Sequence, residues 1–446
     1  GDLEQEYFAD GMVEDIITAL SRFKSLFVIA RNSSFTYKGK AVDIKQVGRE
    51  LGVRYVLEGS VRRAGNRARV VAHLVDARTD EQLWAGTYDR ELTDIFAIQT
   101  DVALQIVAAL QAELSADEKT RLQKRPTHNV HAYQLYLQGR FAFYKSTEEG
   151  YRQALEYFGQ AIDEDPALAL AWIGLANVHT EYAIGQGFGE MLPAAAFAKA
   201  KECVGRALAL DNDLGDAHGV QASLMFLCDY DWAGAEKEFE LALRLSPGSA
   251  DIYDRYGWLC SALERYDDSI RLVKRARELD PLPHQADLGT EYLRAGRYPE
   301  AIEIATEVLS LDPGRARGHT LFGWAHVMMG NYEKGIPALE RGASLSPGST
   351  MFQAQLGEAY AMAGRTEQAR KILRELLDLA ARRYVSPYHL AYVHTGLGQR
   401  EEAIDCLEKA YEERSGAMYG VKGSFLFQPL RSHPRFQALM KKMNLA

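Results

Sequence analysis

A short block returns at a fixed interval along the last third of the chain. Gly335-Ile336-Pro337-Ala338-Leu339, Ala369-Arg370-Lys371-Ile372-Leu373 and Ala403-Ile404-Asp405-Cys406-Leu407 begin 34 residues apart. Ahead of each stands a small residue, Gly323, Gly357 or Ala391, and three positions further on His326, Tyr360 or His394. A period of this length marks a two-helix unit stacked in an array. Such a unit cannot bury its apolar face alone, so neighbouring copies cover one another and the stack presents a long concave surface. The period therefore points to a binding surface and away from a reaction centre.

Further copies lie upstream. Gly257 and Cys260 precede Ser269, Val273 and Ala276, closed by Pro281, and Leu288-Gly289 and Tyr292 precede Ala301, Ala305 and Val308, closed by Pro313. Looser copies run from Ala217 to Pro247, from Trp172 to Asn212 and from Ala132 to Pro166. Small residues let two helices approach closely, and a terminal Pro stops the second helix because it cannot continue it. About eight units are expected over residues 131–415, followed by a capping segment at 416–446. These residues resemble tetratricopeptide repeats over roughly two thirds of the chain, which implies an all-α superhelix.

The resemblance also implies that the first helix of each unit lines the concave face. That places Asp254, Trp258, Leu321, Trp324, Met328, Met351, Glu358, Met362, Tyr388 and Tyr392 toward the groove. Relatives that clamp a carboxyl-terminal Glu-Glu-Val-Asp peptide carry Asn, Lys and Arg at such places. Here Trp258, Thr290, Trp324, Glu358 and Tyr392 stand there, which argues against that ligand. Aromatic and Met side chains suit an apolar peptide or an amphipathic helix. The tail offers a competing occupant: Phe425, Phe427, Leu430, Phe436, Leu439 and Met440 must cap the last unit and can also fill part of the groove. Both occupants stay open on sequence alone.

Turn chemistry agrees with the period. Ser246-Pro247-Gly248-Ser249 and Ser346-Pro347-Gly348-Ser349 each end one helix and offer a Ser to cap the next, and Ser146-Thr147-Glu148-Glu149 reads as a capping box. The sixth unit breaks the pattern, with Gly335, Pro337 and Gly342 in or near its second helix. It is expected to be the softest part of the array unless Pro337 lies in the first turn.

The period is absent before residue 130. Residues 10–22 read as an amphipathic helix with Val13, Ile16, Ile17 and Leu20 on one side, Leu26–Ile29 as a buried strand, and 44–52 as a second helix. Three strands, 54–63, 67–76 and 82–88, follow with turns at Gly65-Asn66 and Thr79-Asp80, then a long helix carrying Ile95, Ile98, Val102, Ile106 and Leu110. The order predicts a small α+β domain with a mixed sheet over residues 1–125. Phe8-Ala-Asp-Gly-Met-Val-Glu-Asp-Ile-Ile17, Val28-Ile-Ala-Arg-Asn-Ser-Ser-Phe35, Gly48 to Ser60, and Leu83-Trp84 before Tyr88-Asp89 resemble the TolB-like amino-terminal domain of bacterial signalling proteins. That family typically follows a class III adenylate/guanylate cyclase or a winged-helix DNA-binding domain, and it precedes tetratricopeptide repeats. Its Val-Leu-Pro-Phe-type first strand would fall before Gly1, so the chain is expected to be part of a longer protein.

Composition excludes several alternatives. Net charge is −9 and the pI about 5.8, against broad nucleic-acid or anionic-membrane binding. No run of 18 or more apolar residues is present, so no membrane segment is expected. Cys203, Cys228, Cys260 and Cys406 form no Cys-x-x-Cys pair and read as buried thiols, in keeping with a cytoplasmic location and, second, a periplasmic one.

No cofactor, catalytic residue or metal site is expected. Gly185, Gly187 and Gly189 follow no strand and read as a loop lengthening the second unit's turn, a secondary place for partner contact. His389 and His394 are spaced off one helix face, His128 and His131 lack acidic company, and Ser33-Ser34 sits in no nucleophile elbow. Arg54, Arg62, Arg63, Arg67 and Arg69 cluster on the first hairpin as a solvated face, with an acidic protein partner as the alternative.

The resulting expectation is a non-catalytic regulatory and scaffold segment of a cyclase-type protein, any cyclase chemistry lying before residue 1. The alternatives are the sensory part of a DNA-binding regulator and an enzyme with a site at the domain junction.

Overall fold

The computed structural model describes residues 3–40, 42–184, 191–282 and 284–446. Gly185, Gly187 and Gly189 therefore lie outside the described residues. The chain opens with α1 (Leu3–Ser21), which starts well ahead of the expected residue 10. Its buried stripe is Phe8, Met12, Ile16 and Leu20 at a spacing of four, while Val13 turns outward at 37% exposure. A single turn, α2 (Arg31–Ser34), precedes α3 (Ile44–Leu51). Asp43 caps α3 by accepting from the Lys45 N–H, and Gly52 closes it at φ +67°.

Strands β1 (Tyr55–Ala64), β2 (Arg67–Asp76) and β3 (Glu81–Glu91) form an antiparallel meander in the order β1-β2-β3. Ala68, Val70, Ala72 and Leu74 on the central strand are buried in alternation. The expected mixed sheet is corrected: among the described residues the sheet is wholly antiparallel, and Leu26–Ile29 joins no ladder. The backbone after this stretch bonds elsewhere, since the Ala30 N–H donates to the Leu279 carbonyl at 2.7 Å, far along the chain.

Helix α4 (Ile95–Ala109) buries Ile95, Ile98, Val102, Ala103 and Ile106 against α1 and the sheet. With the preceding turn, Leu92–Ala109 is apolar enough by length and composition to cross a membrane, yet half of it is buried inside the protein. Helix α5 (Ala116–Gln123) starts with a reciprocal Ser115–Glu118 capping box.

Eight helix pairs then stack: α6 (Val130–Phe143) with α7 (Glu148–Glu164), α8 (Ala169–Ile184) with α9 (Pro193–Leu210), α10 (Gly215–Leu224) with α11 (Trp232–Leu245), α12 (Ala250–Ala262) with α13 (Tyr266–Leu279), α14 (Gln285–Arg294) with α15 (Tyr298–Leu311), α16 (Ala316–Met328) with α17 (Tyr332–Leu345), α18 (Thr350–Met362) with α19 (Thr366–Ala380), and α20 (Pro387–Gly396) with α21 (Arg400–Glu412). The N-cap of α7 is Thr147, which accepts from the Gly150 N–H at 3.0 Å, so the box expected from Ser146 is not the one used. Ser146 sits at φ +51°, outside the helix.

The glycines of the sixth unit have a packing reason. A Cβ on Gly323 of α16 would meet Leu339 Cγ at 2.6 Å and the Gly335 carbonyl oxygen at 2.9 Å, and one on Gly335 would meet the Gly323 carbonyl oxygen at 2.8 Å. The two backbones approach as closely as glycine permits. Pro337 lies beyond the first turn of α17, because the Gly335 N–H already bonds to the Asn331 carbonyl, so the Glu333 carbonyl lacks its helical donor.

The amino-terminal unit is not a bead on a string. Phe96 meets Tyr133 of α6 edge to face at 4.6 Å, and one buried cluster runs from Phe8 through Ile98 to Phe158. Gly323→Val is predicted to lower unfolding stability by about 1–3 kcal/mol through overpacking. Gly348→Val, where nothing lies within 4 Å of the added carbon, should stay within about 0.5 kcal/mol. Urea denaturation checks both, and equal losses would contradict the close-approach reading.

Candidate interaction groove

Four of the sequence-selected groove residues converge on the chain's own carboxyl-terminal segment. After α21 the backbone makes short turns at Gly416–Gly420 and Phe425–Leu430, then α22 (Pro434–Lys442). Trp258 stacks on Tyr419 with centroids 5.8 Å apart and planes 9° from parallel. Trp324 meets Phe425 edge to face at 5.5 Å. Phe427 is stacked on Tyr392 at 5.1 Å and set edge-on to Tyr388 at 5.2 Å. Each such pair adds about 0.5–1.5 kcal/mol beyond the area it buries.

Polar contacts pin the same segment. Tyr266 donates its hydroxyl to the Gly423 carbonyl at 3.3 Å. At its far end the tail reaches the third unit: Trp232 Nε1 donates to the Met443 carbonyl at 2.8 Å, and Asn444 Nδ2 to the Tyr230 carbonyl at 3.3 Å. Arg414 donates to the Cys228 carbonyl at 2.9 Å while its guanidinium lies over Tyr230 and Tyr411. The superhelix is thus bridged from its eighth unit back to its third.

The remaining predicted groove residues serve other ends. Leu321 is buried against the neighbouring first helix, where a Cβ on Gly289 would collide with its Cδ2. Met328 and Met351 are half-buried, and Met362 is 39% exposed. Glu358 is only 2% exposed, and its Oε2 has no hydrogen-bond partner among the described residues. Burial pushes its carboxyl well above the ordinary 4.5.

Asp254 belongs to a different constellation. His284 Nδ1 lies 3.3 Å from Asp287 Oδ2 and 3.7 Å from Asp254 Oδ1, and its Nε2 lies 3.6 Å from Asp251 Oδ1. Burial disfavours a charged imidazole, but Asp251, Asp254 and Asp287 together raise it well above 6.5. Arg317 holds the other oxygen of Asp287 at 2.5 Å. Sequence reasoning missed this group because its members come from two units, and each pair three residues apart, Asp251 with Asp254 and His284 with Asp287, reads alone as an ordinary polar helix turn.

The amino-terminal unit covers the other half of the concave face. Asn32 Nδ2 donates to Asp280 Oδ2 at 2.9 Å, the Ser33 N–H to Asp280 Oδ1 at 3.0 Å, and the Leu282 N–H to Ser33 Oγ at 3.1 Å. Ser33, read from sequence as a strand-end residue, is a docking contact. On α6, Arg140 pairs with Glu14 and with Asp15 of α1, the latter at 2.8 Å, and Tyr144 donates to Glu14 at 2.7 Å. Between these contacts lies a cavity of about 890 Å³, lined among others by Glu14, Arg140, Asp216, Asp254, Trp258 and His284.

The other sequence candidates separate. His389 bonds Thr350 at 2.9 Å and is pushed down to about 4 by burial, whereas His394 faces Gln399. Burial pushes the Cys203, Cys260 and Cys406 thiols up to about 11, away from the reactive thiolate. On the hairpin, Arg54 pairs with Asp76 at 2.9 Å and Arg67 with Asp89 at 2.7 Å, leaving less unpaired positive charge than the sequence suggests.

Models of the tetratricopeptide repeat match residues 257–316, 286–349, 326–386 and 388–415. The carboxyl-terminal part of the chain therefore carries tetratricopeptide repeats. The putative adenylate cyclase 3 of Rhizobium meliloti (strain 1021) is 49% identical over 178 residues, which is 40% of this chain and 30% of that protein. The chain thus spans less than a third of that relative's length. Among solved structures, yeast Tom70 is similar over 80% of this chain and 83% of its own, with 16% identity and a TM-score of 0.44. A tetratricopeptide repeat protein from Parabacteroides merdae ATCC 43184 is similar over 61% of this chain and 99% of its own, with 11% identity and a TM-score of 0.39.

The Glu358 environment generates a pH prediction. A carboxyl held above its unfolded value contributes full stability below about pH 4, and that contribution drains away as pH rises through the folded value. Glu358→Gln keeps a neutral side chain, so calorimetry should show a higher Tm than wild type at pH 8 and little difference at pH 4. An equal shift at both pH values would contradict the buried neutral carboxyl.

Proposed function

We propose that this chain is a non-catalytic regulatory and scaffold segment of an adenylate cyclase-type signalling protein. The observation that carries the reading is the 49% identity, over 178 residues, to a putative adenylate cyclase. The repeat array supports it, because stacked helix pairs of this kind suit protein–protein interaction. The amino-terminal α+β unit is read as the TolB-like module, on the sequence motifs at residues 8–17, 28–35 and 48–60. We place the chain in the cytoplasm, a reading supported by four free cysteines.

The partner is a protein or peptide bearing an apolar or amphipathic segment. Such a segment meets the concave face where Trp258, Trp324, Tyr388 and Tyr392 now hold the tail, so it competes with Tyr419, Phe425 and Phe427. Partner binding and tail docking then become alternative uses of one aromatic line.

The test is a cyclase assay on two proteins, this chain alone and the product of its full reading frame. The chain alone should form no cyclic AMP from magnesium ATP. The full product should form it, at a rate that Trp324→Ala changes severalfold. Cyclic AMP from the chain alone, or a full product without cyclase activity, would contradict the reading.

A further inference from the structure

We propose that Asp254, His284 and Asp287 bind one divalent transition-metal ion on the concave wall between the fourth and fifth units. The fold brings them together because α12 and α14 are the first helices of consecutive units and lie side by side. Asp251 and Asp254, three apart on α12, share one helix face. His284 is the residue just before α14, and Asp287 lies in its first turn. One ligand atom from each of Asp254, His284 and Asp287 lies within 4.8 Å of the others. All three residues are more than nine-tenths buried, at 5%, 5% and 7% exposure.

Two observations point to a ligand rather than to packing alone. Asp254 Oδ1 is a buried polar atom without a hydrogen-bond partner among the described residues. An unpaired buried carboxylate oxygen is costly, and a cation is the direct remedy. The spacing also fits. An ion bonded at about 2.0–2.2 Å to imidazole nitrogen and carboxylate oxygen sets its ligand atoms roughly 3–3.5 Å apart. The edges from His284 Nδ1 are 3.3 Å to Asp287 Oδ2 and 3.7 Å to Asp254 Oδ1, the second too long for a good hydrogen bond.

A supporting shell is already in place. Arg317 holds Asp287 Oδ1 and leaves Oδ2 facing the cluster. Asp251 Oδ1 stands 3.6 Å from His284 Nε2, the ring nitrogen not used toward the ion, near enough to attract the imidazole but beyond hydrogen-bond distance. Arg255 is engaged with Glu181 at 2.8 Å and lies over Trp258. Asp254 and Asp287 place two buried carboxylates in the cluster, and Arg317 is the guanidinium paired directly to it. One imidazole and two carboxylates, without a thiolate, suit zinc or manganese. Asp254 and His284 also line the central cavity, so the ion would stand on its wall and tie the fourth unit to the fifth beside the Asp280 docking contact.

The test uses the whole chain, freed of metal by chelator and dialysed against zinc, with bound metal measured by elemental analysis. The expected result is one zinc per chain, with a Tm several degrees above the metal-free protein. Asp254→Asn and His284→Gln should each lose that equivalent while keeping the wild-type circular dichroism spectrum. Cobalt(II) in place of zinc should show visible d–d absorption that His284→Gln alters, a readout independent of stability. Substoichiometric zinc in the wild type would overturn the site and leave a protonated imidazole bridging the carboxylates. Undiminished zinc in both variants would overturn it too, locating the metal elsewhere.

Discussion

The stacking of Tyr419, Phe425 and Phe427 on Trp258, Trp324, Tyr388 and Tyr392 is the interaction on which the shape of this protein depends. A repeat array has two vulnerable surfaces, the stacking face of its last unit and the apolar lining of its groove. One carboxyl-terminal segment covers both. It meets first helices of units four, six and eight, and unit three is fastened at both ends, by Arg414 ahead of it and by Met443 and Asn444 at its close. Contacts otherwise limited to neighbouring units become long-range, and the solenoid becomes a closed body.

The amino-terminal unit meets the other half of the concave face with different chemistry. Beside the apolar cluster around Phe96 and Tyr133, it adds charged and hydrogen-bonded contacts centred on Asp280 with Asn32 and Ser33 and on Arg140 with Glu14 and Asp15. Burial pushes the Asp280 carboxyl up, and the Ser33 and Asn32 donors pull against that shift. Pairs of this kind define register more than they add stability, because desolvation offsets much of the attraction. The apolar half of the groove and the charged half meet at Trp258, which stacks on Tyr419 and also lines the central cavity.

The array was legible in the sequence because the period is enforced residue by residue. Gly323, Gly357 and Ala391 stand at buried helix contacts, and at Gly323 even a Cβ would collide with Leu339 and the Gly335 carbonyl. The β-meander was legible from its alternation and from turns at Gly65 and Asp80, both at positive φ. Leu26–Ile29 was misread because an apolar run does not say what its backbone will bond to, and the adjoining Ala30 N–H bonds to the array. The aromatic groove positions followed from repeat geometry, yet sequence alone left the choice between an external occupant and the tail undecided. The Asp254–His284–Asp287 group was invisible, because 30 residues of chain separate Asp254 from His284 and only superhelical stacking joins them.

The central claim is that the carboxyl-terminal segment occupies the groove as part of the folded core. Amide hydrogen exchange over residues 416–430, followed by mass spectrometry, measures this directly. Protection close to that of α20, whose Tyr388 and Tyr392 the segment covers, is the predicted result. Exchange at the rate of an exposed loop, with α20 still protected, would contradict the account.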